Sequence, residues 1–497
     1  MKILTAQQIR ECDAYTIANE PIPSIDLMER ASAAFVDTFL KNFSSLEKRA
    51  SIFCGTGNNG GDGFVIARLL HEKGWEVNCF LIPFSEKVSP DNRTNQNRLR
   101  ELGINIQRIE NASEFPSHLH PIIIDALVGT GISRPLEGLL SEVVVKINQT
   151  SRLVCSVDLP SGLYERGNCS EHLDRIIHAN FTFTFQSPKL NFLFPEYANV
   201  VGQWDVLDIG LDAGFIASLT TQEFLIDKNT IQSLLKPRSA HSHKGTYGHA
   251  GLICGSKGMM GAAVLATSAC LRSGAGLTTI MVPEVGYSIL QSTCPEAMYL
   301  TIGNDHINAV PDMKKYSSIG VGPGIGQNIS TKHVLLDVVR NANVPMVIDA
   351  DALNLLSESD LTQLPKGSVL TPHPKEFERL FGATRNSHEQ LERLREKALN
   401  YKLIILLKGR HSSIALPDGN VYFNSSGNPG MAKGGSGDVL TGLLTGLIAR
   451  GYSSENAALI GCYLHGLAGD LCAKDIGMEA MKALDLIDYL PKAFREN

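Results

Sequence analysis

At 497 residues the chain is longer than one hydrophobic core sustains, so about two to four domains are expected. With 43% hydrophobic and 19% charged residues it has a globular composition, and a net charge of −6 without a basic stripe argues against a broad nucleic-acid surface. No stretch approaches the roughly 18 apolar residues of a membrane span, and the opening Met-Lys-Ile-Leu-Thr-Ala is too short an apolar run for a secretory leader.

Residues 1–47 carry apolar positions three and four apart and are predicted as covering helices. A strand at 51–54 runs into a glycine-rich loop at 55–63. A helix from Phe64 to a stop at Gly74 and a strand at 77–82 complete a βαβ unit. Short strands at 122–125 and 153–158 each end in an aspartate before a loop, and 181–189 supplies another strand. In an open parallel sheet such loops gather at the carboxyl edge, where ligands bind. The periodicity weakens between 211 and 240, around the turn-rich Lys236-Pro-Arg-Ser-Ala-His-Ser-His, so a boundary is expected there, dividing 1–220 from 225–497. Alternation restarts with a strand at 249–254, a loop at 255–261, a helix at 262–273 and a strand at 277–282. Strand–loop edges follow at 318–326, 346–351, 369–376 and 403–412. Both halves read as α/β with mainly parallel sheets. The ten cysteines include no C-x-x-C pair and several lie in apolar runs, as at Cys54 and Cys254, which suits reduced, buried thiols in a cytoplasmic protein.

The most informative stretch is Asn-Pro-Gly-Met-Ala-Lys-Gly-Gly-Ser-Gly-Asp-Val-Leu at 428–440. An apolar helix is predicted over 439–450, ended by Gly451, so bare backbone N–H groups sit at a helix N-terminus, where donors and dipole favour an anion. Asp438 stands at the mouth of that anion hole as either an N-cap or a proton acceptor, and the glycines favour the acceptor. Lys408 and Lys433 are candidates to neutralise phosphate, and His373, between two prolines, to touch substrate. Asp349 and Asp351 are expected to cap a helix beginning near Ala352.

In the first half, Gly55-x-Gly-x-x-Gly60 fits a dinucleotide fingerprint, but the acidic partner expected at the end of the next strand is absent, with Glu86 only beyond it. That weakens an ordinary dehydrogenase. Asn58, Asn59 and Asp62 put amide and carboxylate oxygens in the loop; with Asp125 and Ser161 they either hold a hard cation or merely bond the turn. Asp158 and Asp125 occupy equivalent strand ends, and either suits proton transfer.

These residues together resemble the bifunctional NAD(P)H-hydrate repair enzymes over nearly the full length. The resemblance rests on seven blocks in order: 57–63, Asp125 with 129–135, 157–162, 243–248, 322–326, 371–376 and 428–440. It implies a Rossmann-like epimerase domain over 1–220, followed by a ribokinase-like, ADP-dependent dehydratase domain over 225–497. The first would interconvert the R and S epimers of a nicotinamide hydrated at C6, and the second would dehydrate the S form while ADP goes to AMP and phosphate. By the same resemblance the epimerase substrate contacts are Asn58, Asn59, Gly60, Gly61, Asp62, then Gly129, Thr130, Gly131, Ile132, Ser133, Arg134, Pro135, and the favoured proton-transfer residue Asp158. Asn59, Asp125 and Ser161 would ligate potassium. In the dehydratase, Ala263, Gly324, His373 and the base Asp438 would meet the hydrated cofactor. Lys408, Gly409, Arg410, His411 and Ser412 would bind nucleotide with magnesium, as would Asn428, Gly430, Met431, Lys433, Gly434, Gly435, Ser436 and Gly437. The expected partners are small molecules, NAD(P)H-hydrate and ADP or ATP, with homo-oligomeric assembly and no membrane or nucleic acid. A small-molecule kinase of the ribokinase class leaves the first half without a role, and a nucleotide-sensing scaffold has no need of Asp438 or Asp158.

Overall fold

Strands that end in glycine-rich turns and return through helices build two separate parallel sheets in the computed structural model, which describes residues 1–496. The chain divides into one unit of Lys2–Thr221 and a second of Met1 with Gln222 onward. The weakly periodic region hides a strand of the second unit, Glu223–Ile226, which pairs in parallel with Val421–Asn424.

The first unit has strands β1 (Arg49–Cys54), β2 (Glu76–Leu81), β3 (Ile106–Arg108), β4 (Ile122–Ala126), β5 (Leu153–Val157), β6 (Phe181–Phe185) and β7 (Gln203–Leu207). They lie in the order β3-β2-β1-β4-β5-β6-β7 with every neighbouring pair parallel. The order reverses between β1 and β4, which opens a crevice outside their carboxyl ends. Among its helices are α1 (Ala6–Asn19), α2 (Ser24–Phe43), α3 (Asn58–Glu72), α4 (Pro90–Glu101) and α5 (Gly138–Asn148). Phe35, Phe39 and Phe43, spaced at four along α2, meet Phe183, Trp75 and Phe181 in edge-on or tilted ring contacts on one face of the sheet. Phe53, Phe80 and Ile123 pack with Val143, Val144 and Ile147 of α5 on the other.

The helix predicted from Phe64 in fact begins at Asn58, so the glycines read as loop are its first turns. They permit contact: a Cβ at Gly60 would overlap the Gly55 backbone, and one at Gly63 would overlap Ala126 and Cys54.

The second unit continues with β8 (Glu223–Ile226), β9 (His249–Ile253), β10 (Leu277–Val282), β11 (Met298–Thr301), β12 (Ser318–Val321), β13 (Met346–Ile348), β14 (Val369–Leu370), β15 (Ile404–Leu407), β16 (Ser413–Ala415) and β17 (Val421–Asn424). The sheet order is β11-β10-β9-β12-β13-β14-β15-β16-β17-β8, antiparallel only on either side of β16. Its switch point lies between β9 and β12. The helix Ser436–Ala449 is buried at every position from Val439 to Ala449, as its mainly apolar sequence requires, and its two threonines, Thr441 and Thr445, are hydrogen-bonded. Gly442 faces the Ala266 carbonyl of the helix Met260–Arg272, where a Cβ would overlap backbone.

Replacing Gly442 by Val should therefore destabilise the second unit by about 1–3 kcal/mol. Calorimetry should show its transition moved down in temperature while the first unit's stays in place.

Candidate functional sites

In the first unit a cavity of about 530 Å³ opens where the β1/β4 switch point predicts it, lined among others by Asp13, Asn58, Asn59, Asp62, Gly129, Thr130, Gly131, Ile132 and Asp158. Gly60 and Gly61 instead face inward, against Gly55 and Met28, while Ser133, Arg134 and Pro135 lie outside the lining.

Asp158 follows β5 with φ of 64°, a left-handed conformation that strains a non-glycine residue. Its N–H donates to Phe183 O, which turns the carboxylate toward the end of β6. There it accepts from Thr184 Oγ1 at 3.0 Å and Phe185 N at 3.1 Å, and it pairs with Lys189 Nζ at 2.9 Å. Lys189 is 2% exposed and also donates to the carbonyls of Phe185 and Ser187. Asp13, on α1, makes no hydrogen bond or ion pair among the described residues; burial, then the charge of Asp158, pushes its carboxyl up to about 6. Burial, then Asp158, also holds Asp62 well above the usual carboxylate range.

Asp125 lies beneath this cavity, fully buried, and separates from Asp158 in the way the sequence left open. Its carboxylate accepts from Ser161 Oγ at 2.6 Å, Ser161 N at 2.9 Å and Ser156 Oγ at 2.8 Å, with no basic partner among the described residues. Burial raises its pKa, and these donors only partly offset that. Asn59 packs against Gly129, its Nδ2 position buried without a hydrogen-bond partner. A buried carboxylate lacking a counter-charge, a hydroxyl bonded to it and a side-chain amide with an unsatisfied end fit a hard monovalent cation bound through oxygen. Among the described residues no three His, Cys, Asp or Glu side chains converge as a softer metal would require.

The second unit holds a cavity of about 700 Å³ lined by His373, Lys408, Gly409, Arg410, Ser412, Asn428, Met431, Lys433, Gly434, Ser436 and Gly437, with Asn424 and His465. His411, Gly430, Gly435, Ala263, Gly324 and Asp438 are not part of that lining. His411 is held by Asn424 O, and burial lowers its pKa to about 4. Gly430 is pressed against Met478, whereas Ala263 and Gly324 lie near the carboxyl ends of β9 and β12.

Gly435, at φ of 97°, is the N-cap of the helix Ser436–Ala449, so Asp438 sits inside the first turn and is not the cap. Its carboxylate accepts no hydrogen bond among the described residues. Burial, then Asp349, pushes it up to about 6 against the pull of Lys408. The first-turn N–H groups there lack intrahelical acceptors and favour an anion.

Three expectations change. Asp349 is the N-cap residue of the helix Ala350–Leu355, but its side chain makes no capping bond: its Oδ1 pairs with Lys408 Nζ at 2.7 Å and its Oδ2 accepts from Thr441 Oγ1 at 2.7 Å. Asp351 accepts from Gly326 N instead. Lys433, expected to face phosphate, lines the cavity, and its ammonium also donates to the carbonyls of Glu479 and Met481. Meanwhile His373 caps the helix Pro374–Phe381, Nδ1 accepting from Lys375 N and Glu376 N, with Nε2 3.4 Å from Glu376 Oε1. All ten cysteines are free and buried, as their setting predicts. Among the described residues no helix is long and apolar enough to cross a membrane.

Sequence reading missed Asp13, Lys189 and Glu376. Asp13 looks like any polar position of a covering helix. Lys189 offered one signal, a lone lysine closing an aromatic strand.

A parallel α/β unit with an acid–base cavity, followed by a second with a phosphate-type helix terminus, defines a two-site enzyme of nucleotide-like substrates. Residues 24–191 match the family model described as YjeF-related protein N-terminus, and 250–492 match the one described as NAD(P)H-hydrate dehydratase. The chain is 37% identical to the bifunctional NAD(P)H-hydrate repair enzyme of Moorella thermoacetica, over 100% of this chain and 97% of that one. It is 35% identical to the enzyme of that name from Thermofilum pendens, over 100% and 96%. A solved ADP/ATP-dependent NAD(P)H-hydrate dehydratase from Bacillus subtilis, crystallised with ATP and Mg²⁺, is 33% identical with TM-score 0.49, over 55% of this chain and 98% of that one. The chain belongs to the bifunctional NAD(P)H-hydrate repair enzymes, with an epimerase domain in front and an ADP-dependent dehydratase domain behind.

Lys189→Met should leave Asp158 buried without its counter-charge and cost the first unit about 3–5 kcal/mol. Urea unfolding followed by the fluorescence of Trp75 and Trp204 should show it, with part recovered in the Lys189→Met/Asp158→Asn double variant.

Proposed function

We propose that the cavity around Asp158 epimerises NAD(P)H-hydrate and that the cavity beside Asp438 dehydrates the S epimer. The observation that supports this most is Asp438: a carboxyl raised to about 6, free of hydrogen bonds among the described residues, inside the first turn of a glycine-led helix. A hydroxide is a poor leaving group. Asp438 takes the C6 hydroxyl proton as that oxygen attacks the terminal phosphorus of ADP, and the first-turn amides hold the transferring phosphoryl group. AMP departs, and phosphate then leaves C6 under the push of the ring nitrogen, after which a proton is lost from C5 to restore the conjugated ring. Gly409, Arg410, Ser412 and Asn428 line the wall for the nucleotide. Magnesium, when bound with the nucleotide, supplies positive charge to its phosphates; the buried carboxylates Asp349 and Glu376, both within reach of Lys408 Nζ, fit one or two protein ligands to such an ion.

In the front cavity, Asp158 is the proton-transfer group, oriented by its 2.9 Å contact with Lys189. Potassium would be held by Asn59, Asp125 and Ser161, where it supplies the charge that buried Asp125 lacks. Homo-oligomeric assembly and a cytoplasmic setting remain part of this reading.

Chemically hydrated NADH, both epimers, incubated with protein, potassium, magnesium and ADP should regain its full reduced-nicotinamide absorbance. Asp438→Ala should lower recovery by about 10²-fold or more, while Asp158→Ala should leave the S half recovering and slow the R half. Net accumulation of a stable phosphorylated product would overturn the dehydratase reading in favour of a kinase. Because Asp438 acts ionised, the dehydration rate should fall as pH drops through about 6.

Potassium in place of choline should raise the melting temperature of the first unit, as binding to the folded state alone requires. Asp125→Asn should remove that increment, and an unchanged increment would count against the cation site.

A further inference from the structure

Epimerisation at C6 needs a bond to that carbon broken and remade on the opposite face. When the ring opens, the hydroxyl proton must leave as the oxygen becomes an aldehyde, and the electron pair of the N1–C6 bond must be met by a proton on N1. One carboxylate cannot serve both atoms at once. Asp158, paired with Lys189 at 2.9 Å, is fixed as the acceptor. The cavity therefore needs a second, protonated group.

Three carboxyls share the cavity with Asp158. Asp91, on α4, accepts from Ser24 Oγ at 2.7 Å. Asp62 is in the first turns of α3, packed under α2, and lies within 3.4 Å of Ser32 Oγ. Asp13 comes from a different element, α1, and lines the same cavity without a hydrogen bond or ion pair among the described residues. The helix does not use its carboxyl: α1 is capped by Thr5 and Gln8, and its buried face is Ala6, Cys12 and Thr16.

We propose that Asp13 is the second proton-transfer residue of the epimerase, giving a proton to N1 as the ring opens and taking it back as the ring closes. The proposal rests on the reading of this cavity as the epimerase site. In the opening step Asp158 accepts the C6 hydroxyl proton, the oxygen forms C=O, the N1–C6 bond breaks with its electrons on nitrogen, and Asp13 protonates N1. Rotation about C5–C6 presents the other face of the aldehyde. In the closing step N1 attacks that carbon, Asp13 recovers its proton, and Asp158 returns one to the oxygen. Nothing is gained or lost, as an isomerisation requires.

The surroundings suit an acid that is also a usable base. Burial and Asp158 raise Asp13 to about 6, with Lys189 opposing. Asp62 and Asp91 reach the cavity from α3 and α4, and Arg10 lines it one turn before Asp13 on α1. Of the carboxyls in this cleft, the one paired with a lysine serves as base and the unpaired one on α1 as acid.

The test uses the full chain and pure R epimer, followed by chromatography of the two epimers without ADP. For the wild-type protein, kcat/KM should fall as pH rises through about 6, because Asp13 must start protonated. Asp13→Asn should lower kcat by about 10²–10⁴-fold with KM little changed, and should abolish that alkaline limb. Asp13→Glu should restore part of the rate and the limb. Urea unfolding followed by Trp75 and Trp204, both in the first unit, reports that each variant's epimerase unit is folded. Wild-type activity flat across this range, or Asp13→Asn keeping kcat and pH profile, would overturn the proposal even if Asp158→Asn is inactive. If Asp158→Asn epimerises normally, the reading of the cavity itself falls, and the proposal with it.

Discussion

Each unit buries more carboxylates at the carboxyl edge of its sheet than it supplies cations to match. In the first, Lys189 pairs with Asp158 at 2.9 Å and leaves Asp13 raised to about 6. In the second, Lys408 pairs with Asp349 at 2.7 Å and leaves Asp438 raised to about 6. Desolvation disfavours every one of these charges, and a single ammonium satisfies only its nearest partner. The unmatched carboxyl then sits within a unit of neutral pH, where it can take or give a proton. Such an arrangement disfavours folding, and the hydrophobic layers on both faces of each sheet must outweigh it.

That imbalance explains what was legible in the sequence. The α/β class follows from strand-length apolar runs ending in glycine or aspartate, because both sheets are parallel and buried and so give continuous runs. Glycine-rich segments marked both switch points for the same reason. What their glycines do was less visible: Gly60 and Gly63 let α3 lie on its own sheet, and only the paired strands reveal that closeness. Partnership across distant elements was hidden as well. Asp349 reads as a cap because aspartate precedes a helix, yet Thr441 and Lys408, far along the chain, claim its oxygens. Lys433 reads as a phosphate ligand because it lies among glycines, yet carbonyls after a later helix also hold its ammonium. Charged side chains are long, and local sequence says little about where their ends go. Asp13 is the extreme case, a polar residue on a covering helix whose only distinction is what it faces.

The two units differ in the first turn of the helix whose N-terminal residues line the cavity, α3 in the first and Ser436–Ala449 in the second. In α3 that turn carries Asn58 and Asn59, with Asp62 just after, so side-chain oxygens and an amide crowd the mouth of the cavity. That environment suits proton movement. In the helix Ser436–Ala449 the approach is Gly434 and Gly435, then Ser436 and Gly437, so no bulky side chain screens the backbone N–H groups. That environment suits phosphate. The helix dipole is the same in both, and what the first turn places in front of it decides whether the site handles protons or phosphoryl groups. A repair reaction that must both invert a hydroxyl-bearing carbon and expel that hydroxyl needs the two chemistries kept apart. A first turn of carboxamides and carboxylates would leave the phosphoryl group without bare amides to hold it, and bare amides would leave the epimerase without a base.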